Sequence, residues 1–405
     1  MFVEIVLFTL LGILLGFITG LAPGIHPNTV FAMTFSLSFL LIGFPVQAVI
    51  AFVVSLAISN TFFDFIPSII FGAPDEDSVL SVLPGHRMLL DGRGYEAIFL
   101  TVMGGLGVVL LTTISLPALI FFLPVIQAVI RPVLHIILLS IVAWMVWTDK
   151  SRLAAASVFL LSGIFGFMTL NSFPSDSAMF PALTGLFGLS TILTSIMAKT
   201  KIPPQKIPGK VHGDWLKGSV TGWLAGLLAG LLPGLGSSQT GIISAQVFKA
   251  RMKEFLIALG GINTSNMFFT FIVFYAIGKT RSGAVWMISQ IIERLTFLDL
   301  CLIVIVGIMT SLLSAILTIK TAKVMLNKMK HVSYTKVMLL TLFVLVVLVA
   351  ILTGPAGLLV SAAGMFIGLL TISLNVKRTH MMGFLILPTI IYFSGLNPLF
   401  FRLFW

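Results

Sequence analysis

The sequence predicts an all-α polytopic membrane protein built from two structurally related halves in inverted orientation. Three observations carry that expectation: the composition, a series of apolar runs long enough for membrane helices, and an internal repeat. Of 405 residues, 58% are hydrophobic and 9% are charged. A soluble domain carries about 25% charged residues, so this much apolar surface cannot be kept in water. At about 20 residues per crossing there is room for roughly nine to twelve membrane segments. The runs do not alternate with period two, which excludes an outer-membrane barrel. A soluble enzyme, a nucleic-acid-binding module and a single-anchor receptor are excluded as well.

The elements follow in chain order. The N-terminus carries Glu4 instead of a basic n-region, and the run 5–20 continues without a small-residue cleavage site, so it reads as a retained span. Segment 21–45 is moderately apolar and opens with proline and glycine, which suits a re-entrant segment. Further apolar runs cover 46–72, 97–127, 132–148, 153–170, 182–198, 218–235, 255–278, 284–318, 337–353, 355–375 and 381–398. Runs 97–127 and 284–318 each fit one strongly tilted helix or two helices with a tight break, and Pro117 and Pro124 favour a break or kink in the first. If the second is broken near Glu293 and Arg294, those charges and Asp299 lie at an interface.

The net charge of +11 is an orientation signal before it is a binding signal. Most lysines and arginines lie in short loops, where the positive-inside bias places them. Loop 199–217 carries Lys199, Lys201, Lys206, Lys210 and Lys217; loop 320–336 carries Lys320, Lys323, Lys328, Lys330 and Lys336. Both should be cytoplasmic, as should Lys377 and Arg378 one hairpin later. The first residues hold no lysine or arginine, which favours an external N-terminus. The organisation expected is a repeat over 1–198, a basic cytoplasmic linker over 199–217, and a second repeat over 218–405.

The repeat is explicit. GILLGFITGLAPG at 12–24 pairs with GWLAGLLAGLLPG at 222–234, aligning Gly12, Gly16, Gly20, Pro23 and Gly24 with Gly222, Gly226, Gly230, Pro233 and Gly234. SNTFFDFI at 59–66 pairs with SNMFFTFI at 265–272. The first copy starts near an external terminus and the second just after a cytoplasmic loop, which is the inverted-repeat plan of secondary transporters. Glycines four apart allow close helix packing. The Pro-Gly pair ends the helix at membrane depth, where broken backbone survives only if protein buries it or water lines it. Polar residues follow each break, and the next helix N-terminus offers free N–H groups, a combination suited to an anion. A kinked helix packed by small residues is the plain alternative.

The residues expected to bind substrate are Pro23, Gly24, His26, Asn28, Thr29 and Asn60 in the first half, and Pro233, Gly234, Ser237, Ser238, Gln239 and Asn266 in the second. A buried asparagine in a span needs a partner, either another helix or substrate. Asp64, one turn after Asn60, is a candidate coupling-ion or proton site. A charge at the bilayer centre costs about 2.5–3.5 kcal/mol on insertion scales, so such residues are usually functional or paired. Loop 73–96 holds five acids, two arginines and His86 and reads as solvated. The single Cys301 forms no disulfide framework, and no metal-ligand spacing or nucleotide-binding glycine loop is present. No catalytic residue, metal site or cofactor is expected beyond a coupling ion, Na+ or H+. Transport is then not driven by ATP hydrolysis in this chain.

These motifs resemble the large membrane subunit of the tripartite tricarboxylate transporters, the TctA-like permeases, over most of the first 290 residues. GFITGLAPGIHPNT resembles that family's glycine-rich GxxxGxxPG segment. SIIFGAPDEDSVLSVLPGHRMLLDGRGYEAI is similar to its NTPGxxxSxxTxxDGYPMxxxGRAG loop, with Gly72-Ala73-Pro74-Asp75 and Pro84-Gly85-His86-Arg87 in place of two of the family's tetrads. PALTGLFGLSTIL resembles GLFGxSE, and GLLAGLLPGLGSS the second Pro-Gly motif. The resemblance implies an ion-coupled permease for di- or tricarboxylates in the cell (plasma or inner) membrane. It also implies a small membrane subunit and an extracytoplasmic solute-binding protein as partners. The chain is compatible with a homodimer, and nucleic acid is not an expected partner.

The expected function is thus a secondary active transporter, a symporter that moves a small organic anion by alternating access. The alternative is a translocase of a lipid-linked phosphate such as a polyprenyl phosphate, which Arg87 and Arg93 would suit. An intramembrane enzyme is a third class, but no paired nucleophile and base support it.

Overall fold

A computed structural model describes residues 1–22, 31, 43–72, 82–172, 175–197, 203–231, 236–248, 251–328 and 334–397. Among them the regular structure is helical, and seven helices are long and apolar enough to cross a membrane. Two shorter apolar helices, Leu134–Trp147 and Ala178–Thr194, accompany them. The protein is a multi-pass membrane protein.

Two helices form the centre. The apolar window of Val46–Phe71 is 100% buried and that of Met252–Ile277 is 94% buried, against 28% for Phe2–Leu21. A helix apolar on every side belongs inside a larger bundle. The first central helix is jointed: α2 (Val46–Phe63) gives way at Asp64 to α3 (Phe65–Phe71). Pro67 explains the joint, because it offers no N–H to the Phe63 carbonyl. The second central helix, α12 (Met252–Ile277), runs unbroken to Gly278, whose φ of 71° caps it.

Each central helix is packed by a glycine-bearing helix of its own half. A Cβ on Gly12, Gly16 or Gly20 of α1 (Phe2–Leu21) would meet Ser55, Ser59 or Phe63 of α2. A Cβ on Gly222, Gly226 or Gly230 of α10 (Trp215–Leu231) would meet Gly261, Ser265 or Phe269 of α12. In both pairs the contact numbers rise together, so the paired helices run parallel. The chain must therefore turn back between them. By residue 44 it has returned to the level of Phe8, where the Phe44 and Phe8 rings lie 4.9 Å apart. In the second half α11 (Ser237–Phe248) lies between α10 and α12 in the chain.

The two central helices cross with opposite chain directions. Thr61 faces Thr264 at 3.1 Å, while Ile58 and Phe268 lie together against Gly307. Each is also covered by a long helix of the other half. α5 (Gly94–Ile130) packs along α12, backbone to backbone: a Cβ on Gly104 would stand 1.8 Å from the Ile257 carbonyl oxygen, and one on Gly260 2.0 Å from that of Thr101. α14 (Phe297–Lys328) packs along α2. Gly105 of α5 meets Phe62 and Thr264; Gly307 of α14 meets Phe268 and Ile58.

Several expectations need correction. The run 97–127 is neither two helices nor broken: α5 continues through Pro117 and Pro124, about 55 Å long at 1.5 Å per residue. The run 284–318, by contrast, takes the broken one of its two expected forms, with α13 (Gly283–Ser289) followed by α14, and Glu293 and Arg294 in the connection. Asp299 caps α14 locally, accepting from the Thr296 amide at 2.9 Å and the Thr296 hydroxyl at 2.7 Å. The runs 337–353 and 355–375 form one helical stretch, α15 (Tyr334–Ser373), interrupted at Gly354 with φ 66°. Residues 82–90 of the expected solvated loop form helix α4 (Val82–Leu90), with His86, Met88 and Leu89 buried.

Outside this centre, helices from both ends of the chain interleave. α6 (Leu134–Trp147) precedes α7 (Arg152–Ser172), which packs against α16 (Gly383–Phe393) through Gly163, Gly166 and Gly383. α8 (Ser175–Leu183), a π-helical turn (Thr184–Leu189) and α9 (Ser190–Met197) pack against α15 through Gly185, Gly364 and Gly368.

Candidate functional site

The residues singled out by the repeat divide into two groups. Pro23, Gly24, His26, Asn28, Thr29, Pro233 and Gly234 lie outside the described residues, and the Gln239 side chain does too. Asn60, Asp64, Ser237, Ser238 and Asn266 are described and lie in the middle of the bundle.

Their depth follows from the helix pairs. Gly20, at the end of α1, meets Phe63, and the chain continues eight residues further to Phe71. Gly230, at the end of α10, meets Phe269, and α12 continues eight residues further to Ile277. Both glycine helices thus stop about 12 Å short of their central partner's end. Each glycine helix ends where its neighbour is still spanning.

Within the first pair, Asn60 donates to Thr19 Oγ1 at 3.2 Å; Thr19 belongs to α1. Within the second, Asn266 donates to Ser237 Oγ at 3.3 Å; Ser237 opens α11. Asn60 therefore ties two packed helices together, while Asn266 reaches the start of the returning segment. Ser237 and Ser238 are both buried.

Between the halves lies a polar contact the sequence reading missed. Asp64, 4% exposed, accepts a 2.7 Å hydrogen bond from Asn263 Nδ2 of α12. Thr61 and Thr264 bond one turn away. That bond holds the Asp64 side chain between the two central helices, away from water. Asn263 stands three residues before Asn266 on the same helix, and that spacing was the available signal.

A charged face closes one end of the bundle. Arg93 and Lys253 both bind Glu96 at 2.8 Å, and Lys217 binds Glu254 at 2.8 Å. The Lys253–Glu96 pair joins the two halves. The linker is fastened here: the Gly94 amide donates to Gln205 Oε1 at 2.9 Å, Gln205 Nε2 donates to the Leu89 carbonyl at 2.9 Å, and the Lys206 amide donates to Gly92 at 2.8 Å. Lys323 stands over the Tyr95 ring at 5.5 Å, so the ends of both lysine-rich loops share this face. A cavity of about 670 Å³ opens among Arg93, His212, Asp214, Arg251, Lys253 and Glu254.

A second buried pair joins the connection after α6 to the segment before α16. The Asp149 carboxylate can only accept, so His380 Nε2 carries the proton of their 3.0 Å contact. Burial pushes His380 below its ordinary value, outweighing the raising effect of Asp149. Its Nδ1 is buried with no hydrogen-bond partner among the described residues, so a second proton there would find no acceptor. Burial alone would raise Asp149, but the Ser151 amide at 3.1 Å and His380 outweigh it and hold the carboxyl below its usual range.

Comparison with known proteins places these features. Residues 6–383 match the tripartite tricarboxylate transporter TctA family. An uncharacterized protein of Methanocaldococcus jannaschii is 31% identical over 370 residues, covering 88% of this chain and 91% of that protein. No solved structure matches the chain. The match runs from the first glycine helix to the start of α16 and includes every residue singled out above: the chain belongs to the tripartite tricarboxylate transporter TctA family.

Proposed function

We propose that the protein is a secondary active permease in the cell membrane that moves a small organic anion, a di- or tricarboxylate, by alternating access. The two halves are inverted repeats. The observation that carries this reading is the duplicated packing: two parallel helix pairs make the same glycine contacts, and their central helices cross in opposite directions. Two broken helices facing each other across a pseudo-two-fold supply neutral donors near the midplane without a fixed cation. In the first half the site residues are Pro23 and Gly24, which end the helix, with His26, Asn28 and Thr29 after them, supported by Asn60. In the second they are Pro233 and Gly234, with Ser237, Ser238 and Gln239 after them, supported by Asn266. Asp64 carries the coupling ion, Na+ or H+. The family's tripartite description favours a small membrane subunit and an extracytoplasmic solute-binding protein as partners.

The test is uptake into proteoliposomes holding the purified protein, with citrate outside and an imposed Na+ or H+ gradient. The wild type accumulates citrate, and Asn28→Ala and Ser238→Ala lose it. Unchanged uptake by both variants contradicts the proposed site. Transfer of a polyprenyl phosphate between leaflets, without citrate uptake, contradicts the carboxylate reading.

A further inference from the structure

A third group of polar residues gathers around Gly72, just past the end of α3. Arg378 follows the basic Lys377 in the segment between α15 and α16. An arginine at such a position ordinarily turns its head to water. This one turns inward: Arg378 Nη1 donates to the hydroxyl of Thr191, which is 8% exposed. Thr191 itself donates to the Phe187 carbonyl, inside the π-helical turn. That turn lies directly before α9, which carries Thr191, and π-turns of this kind collect at functional sites.

His86 completes the group. Gly72, a left-handed helix cap with φ 64°, lies between the two side chains: its Cβ direction meets Thr191 Cγ2 at 3.8 Å and His86 Cε1 at 3.9 Å. His86 is buried, and its Nδ1 proton is committed to the Ile69 carbonyl at 2.9 Å. Burial and the nearby Arg378 charge both push His86 toward its neutral form. Among the described residues no carboxylate forms an ion pair with Arg378. A half-buried guanidinium has five N–H donors and a fork shaped for an oxyanion, and one hydroxyl does not satisfy it.

We propose that Arg378, held by Thr191 beside His86, is an anion-binding station that takes a carboxylate or phosphate group. It is separate from the proposed midplane residues. Binding is measured directly rather than through flux, so it can fail while the transport reading stands, and the reverse. A guanidinium fork donating to an oxyanion is the chemistry; the anion comes from a soluble acid or from a lipid headgroup.

Full-length protein in phosphatidylcholine nanodiscs is titrated calorimetrically with citrate and with inorganic phosphate. A parallel set of nanodiscs containing phosphatidylglycerol is assayed for protein-bound phosphatidylglycerol by mass spectrometry. Arg378→Gln should weaken binding of the responsive anion roughly tenfold to a hundredfold, the range for a hydrogen-bonded charge. Thr191→Val, which leaves the charge but frees its orientation, should weaken it roughly threefold to tenfold. Arg378→Lys keeps the charge without the fork and should fall between wild type and Arg378→Gln. A response to citrate or phosphate identifies a soluble ligand; Arg378-dependent retention of phosphatidylglycerol identifies a headgroup. The proposal is overturned if no anion binds in any arm. It is equally overturned if binding is unchanged in Arg378→Lys and Thr191→Val, two variants that test it even if Arg378→Gln does not fold.

Discussion

Gly16 meets Ser59 and Gly226 meets Ser265 at the same step of two helix pairs. One turn beyond the neighbouring asparagine, however, the first pair carries Asp64 and the second Thr270. Asp64 crosses to the other half to reach Asn263. Thr270 stays local, donating to the Met267 carbonyl at 2.8 Å and accepting from Ser282 at 3.3 Å. Packing is duplicated because both pairs solve the same problem: two backbones must approach closely where lipid gives no hydrophobic drive, and only small residues allow it. The charge is not duplicated, because each buried carboxylate costs about 2.5–3.5 kcal/mol on insertion scales and serves no packing purpose. In the proposed transport reading the duplicated packing is the scaffold, and Asp64, where the two pairs differ, is the coupling residue.

The scaffold side of this contrast breaks with the largest effect. Gly104→Val should remove folded protein, at a cost of about 3 kcal/mol or more, because its Cβ would stand 1.8 Å from a backbone oxygen that cannot rotate away. Gly209→Val, whose Cβ meets nothing within 4 Å, should leave thermal unfolding in detergent unchanged. Equal melting of the two variants would show that the close crossing of α5 and α12 is not what holds the halves.

The chemical side comes next. Asp64→Asn keeps the shape of the side chain and removes the charge. Uptake should fall roughly tenfold to a hundredfold and lose its ion dependence, in line with a charge-assisted hydrogen bond worth about 1.5–3 kcal/mol. Thr270→Ala at the equivalent place should leave ion dependence intact. If both variants behave alike, the asymmetry between the halves has no functional meaning.

A smaller effect separates the two asparagines. Asn60→Ala should cost about 0.6–1.7 kcal/mol of stability, the range for hydrogen bonds between membrane helices, and weaken substrate binding less than Asn266→Ala does. Asn266→Ala, which frees Ser237 at the start of α11, should weaken substrate binding more than it lowers melting. The smallest effect is a pH dependence that belongs to neither pair. His380 is held neutral, below its ordinary value of 6.5, so its contribution to stability is complete above that pH and is lost as the pH falls below it. Asp149, also lowered, adds a second loss only below its ordinary 3.8. The melting temperature of the wild type should therefore drop between about pH 7.5 and about pH 5.5. His380→Gln should shrink that drop to the part contributed by buried His86, which is lowered for the same reason, and Asp64→Asn should not change it.

Much of the scaffold was legible because its causes are local. Glycines four apart, Pro-Gly pairs and an eight-residue echo with six identities stand in the chain itself. The break before Glu293 and Arg294 could be anticipated from charge inside an apolar run. The persistence of α5 through Pro117 and Pro124 could not, since a proline's effect depends on which neighbours satisfy the freed carbonyls. His86 looked solvated because charge density around it is high; its burial depends on α4 folding back so that Gly85 lies against Ile69. Asn263 and Arg378 were missed for a similar reason. Their partners, Asp64 and Thr191, are 199 and 187 residues away, and no spacing along the chain brings them together.

Opposite insertion of the two halves is tested most directly by labelling one cysteine at the start of each glycine helix. Cys301→Ser provides a cysteine-free background. Val3→Cys on α1 and Leu216→Cys on α10 are 67% and 72% exposed at present, so a maleimide can reach either. In intact cells a membrane-impermeant maleimide should label Val3→Cys from outside, and should reach Leu216→Cys only after the membrane is opened. Labelling of both from the same side would contradict the inverted repeat, and with it the two-sided site between the halves.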